Sequence, residues 1–153
     1  MFFKNIIGLM LVLPLVVFAA KPATTSELEI PEQSYAMQID YFSALYGTDS
    51  SIVKKVVECE SNFNSNASGD GHRSKGIAQF QKPTWDYLLG EYQKQYNEEL
   101  DYKSSYDQIK LLTFSIAEGY GNRWTSYRAI KNDGKYFFYS SQMKRHYTVI
   151  CKL

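Results

Sequence analysis

The chain has 153 residues, a formal net charge of +1 and 22% charged side chains. That length suffices for one domain with a buried core, and the charge leaves no surplus for holding nucleic acid, which normally takes a basic patch. Its 13 tyrosines supply flat, amphipathic rings that suit sugar faces, although a half-buried structural Tyr is their ordinary role.

Lys4 precedes an apolar run over residues 6–18, and small residues follow at Ala19 and Ala20. The run falls short of the roughly 20 apolar residues needed to span a bilayer, and its order of charge, apolar run and small residues is that of a secretory signal. Residues 1–20 are therefore expected to direct export to the periplasm, the cell wall or the medium, or to persist as a membrane anchor if uncleaved. Residues 21–32, with Pro22, Pro31 and a run of Thr and Ser, read as a linker. The folded domain is expected over residues 33–153.

Along that domain, Ala36, Ile39, Phe42 and Leu45 recur at threes, the spacing of one helix face, before Gly47. Asp49 or Ser50 suits the cap of a second helix carrying Ile52, Val53, Val56 and Val57. Residues 61–75 hold hardly an apolar side chain and predict a polar loop or short hairpin. Pro83 fits the first turn of a third helix with Trp85, Leu88, Leu89 and Tyr92. A fourth, with Ile109, Leu112, Thr113 and Ile116, is expected to stop at Gly119. Asn122 is the expected cap of a short fifth helix through Trp124 and Tyr127. The remaining tail has no clean period. The sum is a mainly α domain, α+β at most, with a polar loop or short hairpin in its middle.

Two cysteines lie beyond the export segment, Cys59 and Cys151. An even count in an exported chain favours a disulfide over two free buried thiols. Metal binding is not suggested: His72 and His146 lie far apart, and Asn62, Asn64 and Asn66 lack the central Gly and terminal Glu of a calcium loop. No cofactor is implied.

The second helix ends in Glu58, Cys59, Glu60 and Ser61. At about 100° per residue, Glu60 continues the stripe of Ile52 and Val56 while Glu58 points to water. A carboxyl beside apolar groups at a helix C-terminus is harder to ionise, which is the condition for a general acid in glycoside cleavage. The ordinary alternative is a helix-end Glu that bends out to solvent.

Glu60-Ser61, then Gly76-Ile77-Ala78-Gln79 with Phe80, Thr84 and Trp85, resembles the lytic transglycosylases of the lysozyme-like superfamily. Cys59 directly before the Glu, with a Cys near the C-terminus, is also similar to the catalytic domain of resuscitation-promoting factors. The likeness covers residues 49–129 or so. It implies a lysozyme-like fold acting on peptidoglycan glycan strands; the expected state is a monomer, with a cell-envelope assembly as the one further partner considered. By the resemblance Glu60 is the catalytic acid and then base, while Ser61 and Gln79 contact the carboxyl or the sugar. Many such enzymes carry Ala-Tyr-Asn after the fourth helix. Here Ala117, Glu118, Gly119 and Tyr120 stand in that region, and Tyr120 is the substitute site residue.

Two other readings stand beside it. A hydrolytic lysozyme needs a second carboxylate. Asp70 is its natural source and Glu118 a weaker one, against the ordinary role of an Asp-Gly turn for Asp70. A non-catalytic wall-binding module would keep the tyrosines and tolerate loss of Glu60.

Overall fold

The computed structural model describes residues 34–140 and 144–151, all within the compact unit Pro31–Leu153. The expected signal and linker lie outside the described residues. Within those residues, no helix is long and apolar enough to cross a membrane.

The domain is mainly helical with two small antiparallel sheets. Helix α1 (Tyr35–Tyr46) buries Gln38, Ile39, Phe42 and Ser43 and ends on Gly47 in the left-handed region, φ 71°. Leu45, expected on its apolar face, is 55% exposed. From Phe42 the inward stripe advances by four, to the half-buried Tyr46, whose ring stacks on that of Phe42. Helix α2 (Ser50–Ser61) is capped by Asp49, whose carboxylate accepts from the Ser51 amide, and it buries Val53, Val56 and Val57.

Helix α4 (Ser105–Ala117) forms the centre of the fold. It buries Ile109, Leu111, Leu112, Phe114 and Ile116, with Thr113 and Ser115 between them. A helix apolar on nearly every side must be surrounded. The two buried hydroxyls donate back to the Ile109 and Leu111 carbonyls at 2.7 and 2.6 Å, so neither is left unpaired. Ser104, one residue before the helix, accepts from the Asp107 amide as its cap. Helix α3 (Lys82–Tyr96) begins with Pro83 in its first turn and buries Trp85, Leu88 and Tyr92.

The polar middle of the chain is a three-stranded sheet of two-residue strands, β1 (Ser68–Gly69), β2 (Ser74–Lys75) and β3 (Phe80–Gln81), with Ser68 opposite Lys75 and Lys75 opposite Phe80. A 3-10 turn at Asp70–His72 joins the first two strands.

Helix α5 (Thr125–Ile130) starts later than expected. Asn122 lies instead in a 3-10 turn, Tyr120–Arg123, and Trp124 occupies the cap position without a capping side chain. The tail with no clean period is an antiparallel ribbon, β4 (Lys135–Ser140) paired with β5 (Arg145–Ile150) from Lys135 opposite Ile150 to Ser140 opposite Arg145. Alternate residues on β4 are exposed and half-buried, the pattern of a ribbon with one face on the body. Cys59 and Cys151 form a disulfide spanning 92 residues, with their Cα atoms 5.6 Å apart. The bridge ties the far end of β5 to the last turn of α2.

Candidate active site

The site starts at the end of α2. Glu60 sits one turn beyond the buried Val56 and is half-buried, whereas Glu58 is exposed. The helix closes on Asn62, left-handed at φ 52°, whose amide donates to the Glu58 carbonyl. Phe63 is left-handed as well, so the chain swings sharply into the polar sheet and a cleft opens beside Glu60. The cleft has a volume of about 200 Å³, and Asp70, Gln79, Trp124 and Thr125 are among the residues that line it with Glu60.

Ser126, on α5, faces Glu60 across the cleft wall. Its hydroxyl donates to Glu60 Oε1 at 2.5 Å. Burial pushes the Glu60 pKa up from the usual carboxylate range, and the charge of Asp70 adds to the rise. Hydrogen bonding from the Ser126 hydroxyl and backbone pulls the other way but does not cancel burial. Burial is the chief reason the carboxyl holds its proton more tightly than usual.

The opposite wall is the turn at residues 76–80, and its backbone is held from several directions. The Ser61 hydroxyl donates to the Ile77 carbonyl at 2.7 Å and lies 3.2 Å from the Val57 carbonyl. The Ala78 amide donates to Gln108 Oε1, and Gln108 Nε2 donates to the Tyr102 carbonyl. Trp124 Nε1 donates to the Ala78 carbonyl at 2.9 Å, and the Tyr102 hydroxyl donates to the Phe80 carbonyl at 2.7 Å. Gly76, left-handed at φ 74°, leaves the space that the Gln108 amide fills, since a Cβ there would come within 2.3 Å of Nε2. The rings of Trp85 and Trp124 meet Phe80 edge-on at 5.1 and 5.2 Å, so an aromatic core lies directly under the cleft floor.

Of the residues named from sequence, Glu60 and Gln79 line one cleft. Gln79 is itself left-handed at φ 50°, and its amide donates to the Gly76 carbonyl at 2.8 Å. Ser61 supports the turn from behind through the bonds above. Tyr120 lies outside the cleft lining, where its ring meets Tyr87 edge-on and the Arg123 guanidinium sits over Tyr87 at 4.3 Å. Glu118 is exposed at the end of α4. Asp70 does begin a tight turn before Gly71, yet it also faces the cleft, and its carboxylate accepts from Ser74 Oγ at 2.6 Å and Gln81 Nε2 at 3.3 Å.

Ser126 is the site residue that sequence reasoning missed. Its signal is the spacing of two small residues, Ser126 and Ala129, which are the buried positions of α5. The disulfide reaches the same place, for the Cys151 sulfur lies 3.9 Å from the Ser126 carbonyl oxygen. Cys59 and Cys151 thus bracket the carboxyl and the serine that holds it. Chemically, the arrangement offers a half-buried carboxyl, Glu60, that can give a proton and take one back, with a second carboxylate, Asp70, in the same polar-walled cleft.

No family model, curated protein or solved structure matches this chain.

Proposed function

We propose that the protein is a peptidoglycan lytic transglycosylase, with a lysozyme-like fold, that cleaves between N-acetylmuramic acid and N-acetylglucosamine. The observation that carries this reading is Glu60: a half-buried carboxyl, its pKa raised by burial, bound to Ser126 at the edge of an open polar cleft. A carboxyl that burial makes harder to ionise is suited to general acid work.

In this mechanism Glu60 gives its proton to the glycosidic oxygen as the bond to the muramoyl C1 breaks. The C6 hydroxyl of the same muramoyl residue then attacks C1, and Glu60 takes the hydroxyl proton back. A 1,6-anhydro ring closes and no water is consumed. One carboxyl suffices because the nucleophile belongs to the substrate and is already close. In this reading Gln79 orients the N-acetyl group or the carboxyl; it lines the cleft, and its side-chain amide donates to the Gly76 carbonyl of the turn that Gln108 and Trp124 hold.

Asp70 favours a second reading. It lies in the same cleft and its charge is felt by Glu60, so a hydrolase with Asp70 handling a water is the nearest rival. Digestion of purified peptidoglycan, with products read by mass, decides between them. Anhydromuramoyl ends support the transglycosylase and reducing ends the hydrolase, whereas an intact polymer removes both.

Export belongs to the same reading. The Cys59–Cys151 disulfide suits an oxidising compartment outside the cytoplasm, where the glycan polymer is found.

A further inference from the structure

The net charge of +1 conceals an uneven distribution. Residues 122–151 carry Arg123, Arg128, Lys131, Lys135, Lys144 and Arg145 against one acid, Asp133. Among the described residues the ion pairs are made by Lys54, Lys82, Lys94 and Lys110, so within them no carboxylate is paired with a cation of this stretch.

The ribbon holds out apolar side chains on the same part of the molecule. In its register Lys135 faces Ile150, Phe137 faces Thr148 and Tyr139 faces His146. All six are exposed, while Tyr136, Phe138, Tyr147 and Val149 between them are half-buried, so the six form the outward face. Phe137 at 68% and Ile150 at 67% are the most exposed large apolar side chains among the described residues, and Tyr139 is 54% exposed. Clustered exposure of this kind marks an interaction surface.

Phe137 also borders a pocket of about 420 Å³ between α5 and the ribbon, lined with Asn122, Arg128, Lys131, Asn132 and Tyr136. Arg128 is held in place there, donating from Nη1 to the Tyr136 hydroxyl at 3.0 Å with its guanidinium 5.3 Å from the ring centre. A guanidinium, an ammonium and amide side chains in one pocket suit phosphate oxygens.

The combination selects the occupant. Cations beside projecting aromatic and aliphatic side chains match an anionic bilayer, whose phosphates pair with the charges and whose acyl boundary accepts the apolar groups. Nucleic acid would meet the cations but give Phe137 and Ile150 no apolar layer. A second copy of the chain would set like charges against each other. The face is firmly presented, because the Cys151 amide donates to the Gly134 carbonyl at 2.9 Å and the disulfide fixes Cys151 to α2.

We propose that the outward face of the β4–β5 ribbon seats the domain on an anionic lipid surface. Phe137 and Ile150 enter the headgroup layer, and the pocket of Arg128 and Lys131 takes a lipid phosphate. This interaction goes beyond the glycan-cleaving reading and does not depend on Glu60.

The test is partition of the full chain onto vesicles of mixed phosphatidylglycerol and phosphatidylcholine and onto vesicles of phosphatidylcholine alone. The apolar run over residues 6–18 is common to every variant, so differences between variants read the ribbon. The expected result is a preference for anionic vesicles that weakens with added salt. Lys131→Gln with Lys135→Gln lowers that preference about ten- to thirty-fold, on the order of five-fold for each cation. Lys131→Arg with Lys135→Arg keeps it, which separates lost charge from a damaged fold. Phe137→Ser lowers partition onto anionic vesicles about three- to ten-fold. An anionic preference untouched by the Gln pair overturns the proposal. So does a Gln-pair effect seen with soluble polyglutamate and not with vesicles, which assigns the cations to an acidic protein. A Phe137→Ser variant that alters only the sedimentation of the lipid-free protein also overturns it and assigns the face to a second copy.

Discussion

The Ser126 hydroxyl and Glu60 Oε1 are joined by a 2.5 Å hydrogen bond across 66 residues of chain. The bond aims the carboxyl and lowers its pKa against the larger effect of burial. Ser126→Ala is expected to move the alkaline limb of the pH–kcat profile to higher pH, because the charged form loses a donor. The maximum rate should drop about 10- to 100-fold, the scale set by a misaimed catalytic group. An unchanged profile would leave Ser126 with a packing role alone.

Asp70 acts in the opposite sense. Its charge raises the Glu60 pKa, so Asp70→Asn should bring the alkaline limb to lower pH. In a transglycosylase most of the rate below that limb survives. In a two-carboxylate hydrolase the variant loses a general base, typically about 10²- to 10⁴-fold. One pH–rate series on Asp70→Asn therefore reads both the coupling and the mechanism.

The disulfide holds the α2 end and the ribbon base together. Cys151→Ser should lower the unfolding free energy by about 2–5 kcal/mol, measured by denaturant titration. Because Cys151 also sits against the Ser126 carbonyl, activity per folded molecule should drop as well. Full specific activity in the variant would uncouple the bridge from the site.

Gln108 is almost wholly buried and serves both the Ala78 amide and the Tyr102 carbonyl. Gln108→Leu keeps much of the volume but strands both groups, at a cost of about 1–3 kcal/mol. Thermal unfolding should register that loss, and the turn bearing Gln79 should exchange its amide hydrogens faster. A melting temperature equal to that of the native protein would mean the turn finds other partners.

Local pattern made much of this fold legible. Asp49 as a cap, Pro83 in a first turn and the stripe of Val53, Val56 and Val57 are decided within one or two turns of helix, and the structure agrees. For Leu45 the local pattern is ambiguous, because a spacing of three and a spacing of four both fit an apolar face, and packing on Phe114 of α4 selects Tyr46. The ribbon carries aromatic residues on both faces: Phe137 and Tyr139 are exposed, while Tyr136 and Phe138 turn inward. Alternation of hydrophobicity, the usual strand signal, is therefore erased. Glu60 was legible as an inward-facing acid from its register with Val56. Its hydrogen-bond partner was not, since Ser126 meets it only through the tertiary fold.

The central claim concerns Glu60, and Glu60→Gln tests it in two ways on one sample. Its raised pKa means the folded state holds the proton more tightly than the unfolded chain. That contribution to stability is full below the ordinary Glu value of about 4.3 and is lost as pH rises through the folded-state value. Glu60→Gln, which cannot ionise, should be at least as stable as the native protein at neutral pH, with the difference vanishing in acid.

On purified peptidoglycan the same folded variant should release no soluble fragments above a residue of about 10⁻³ of the native rate. The native protein is predicted to yield anhydromuramoyl ends by mass. Fragment release by Glu60→Gln at the native rate would contradict the account.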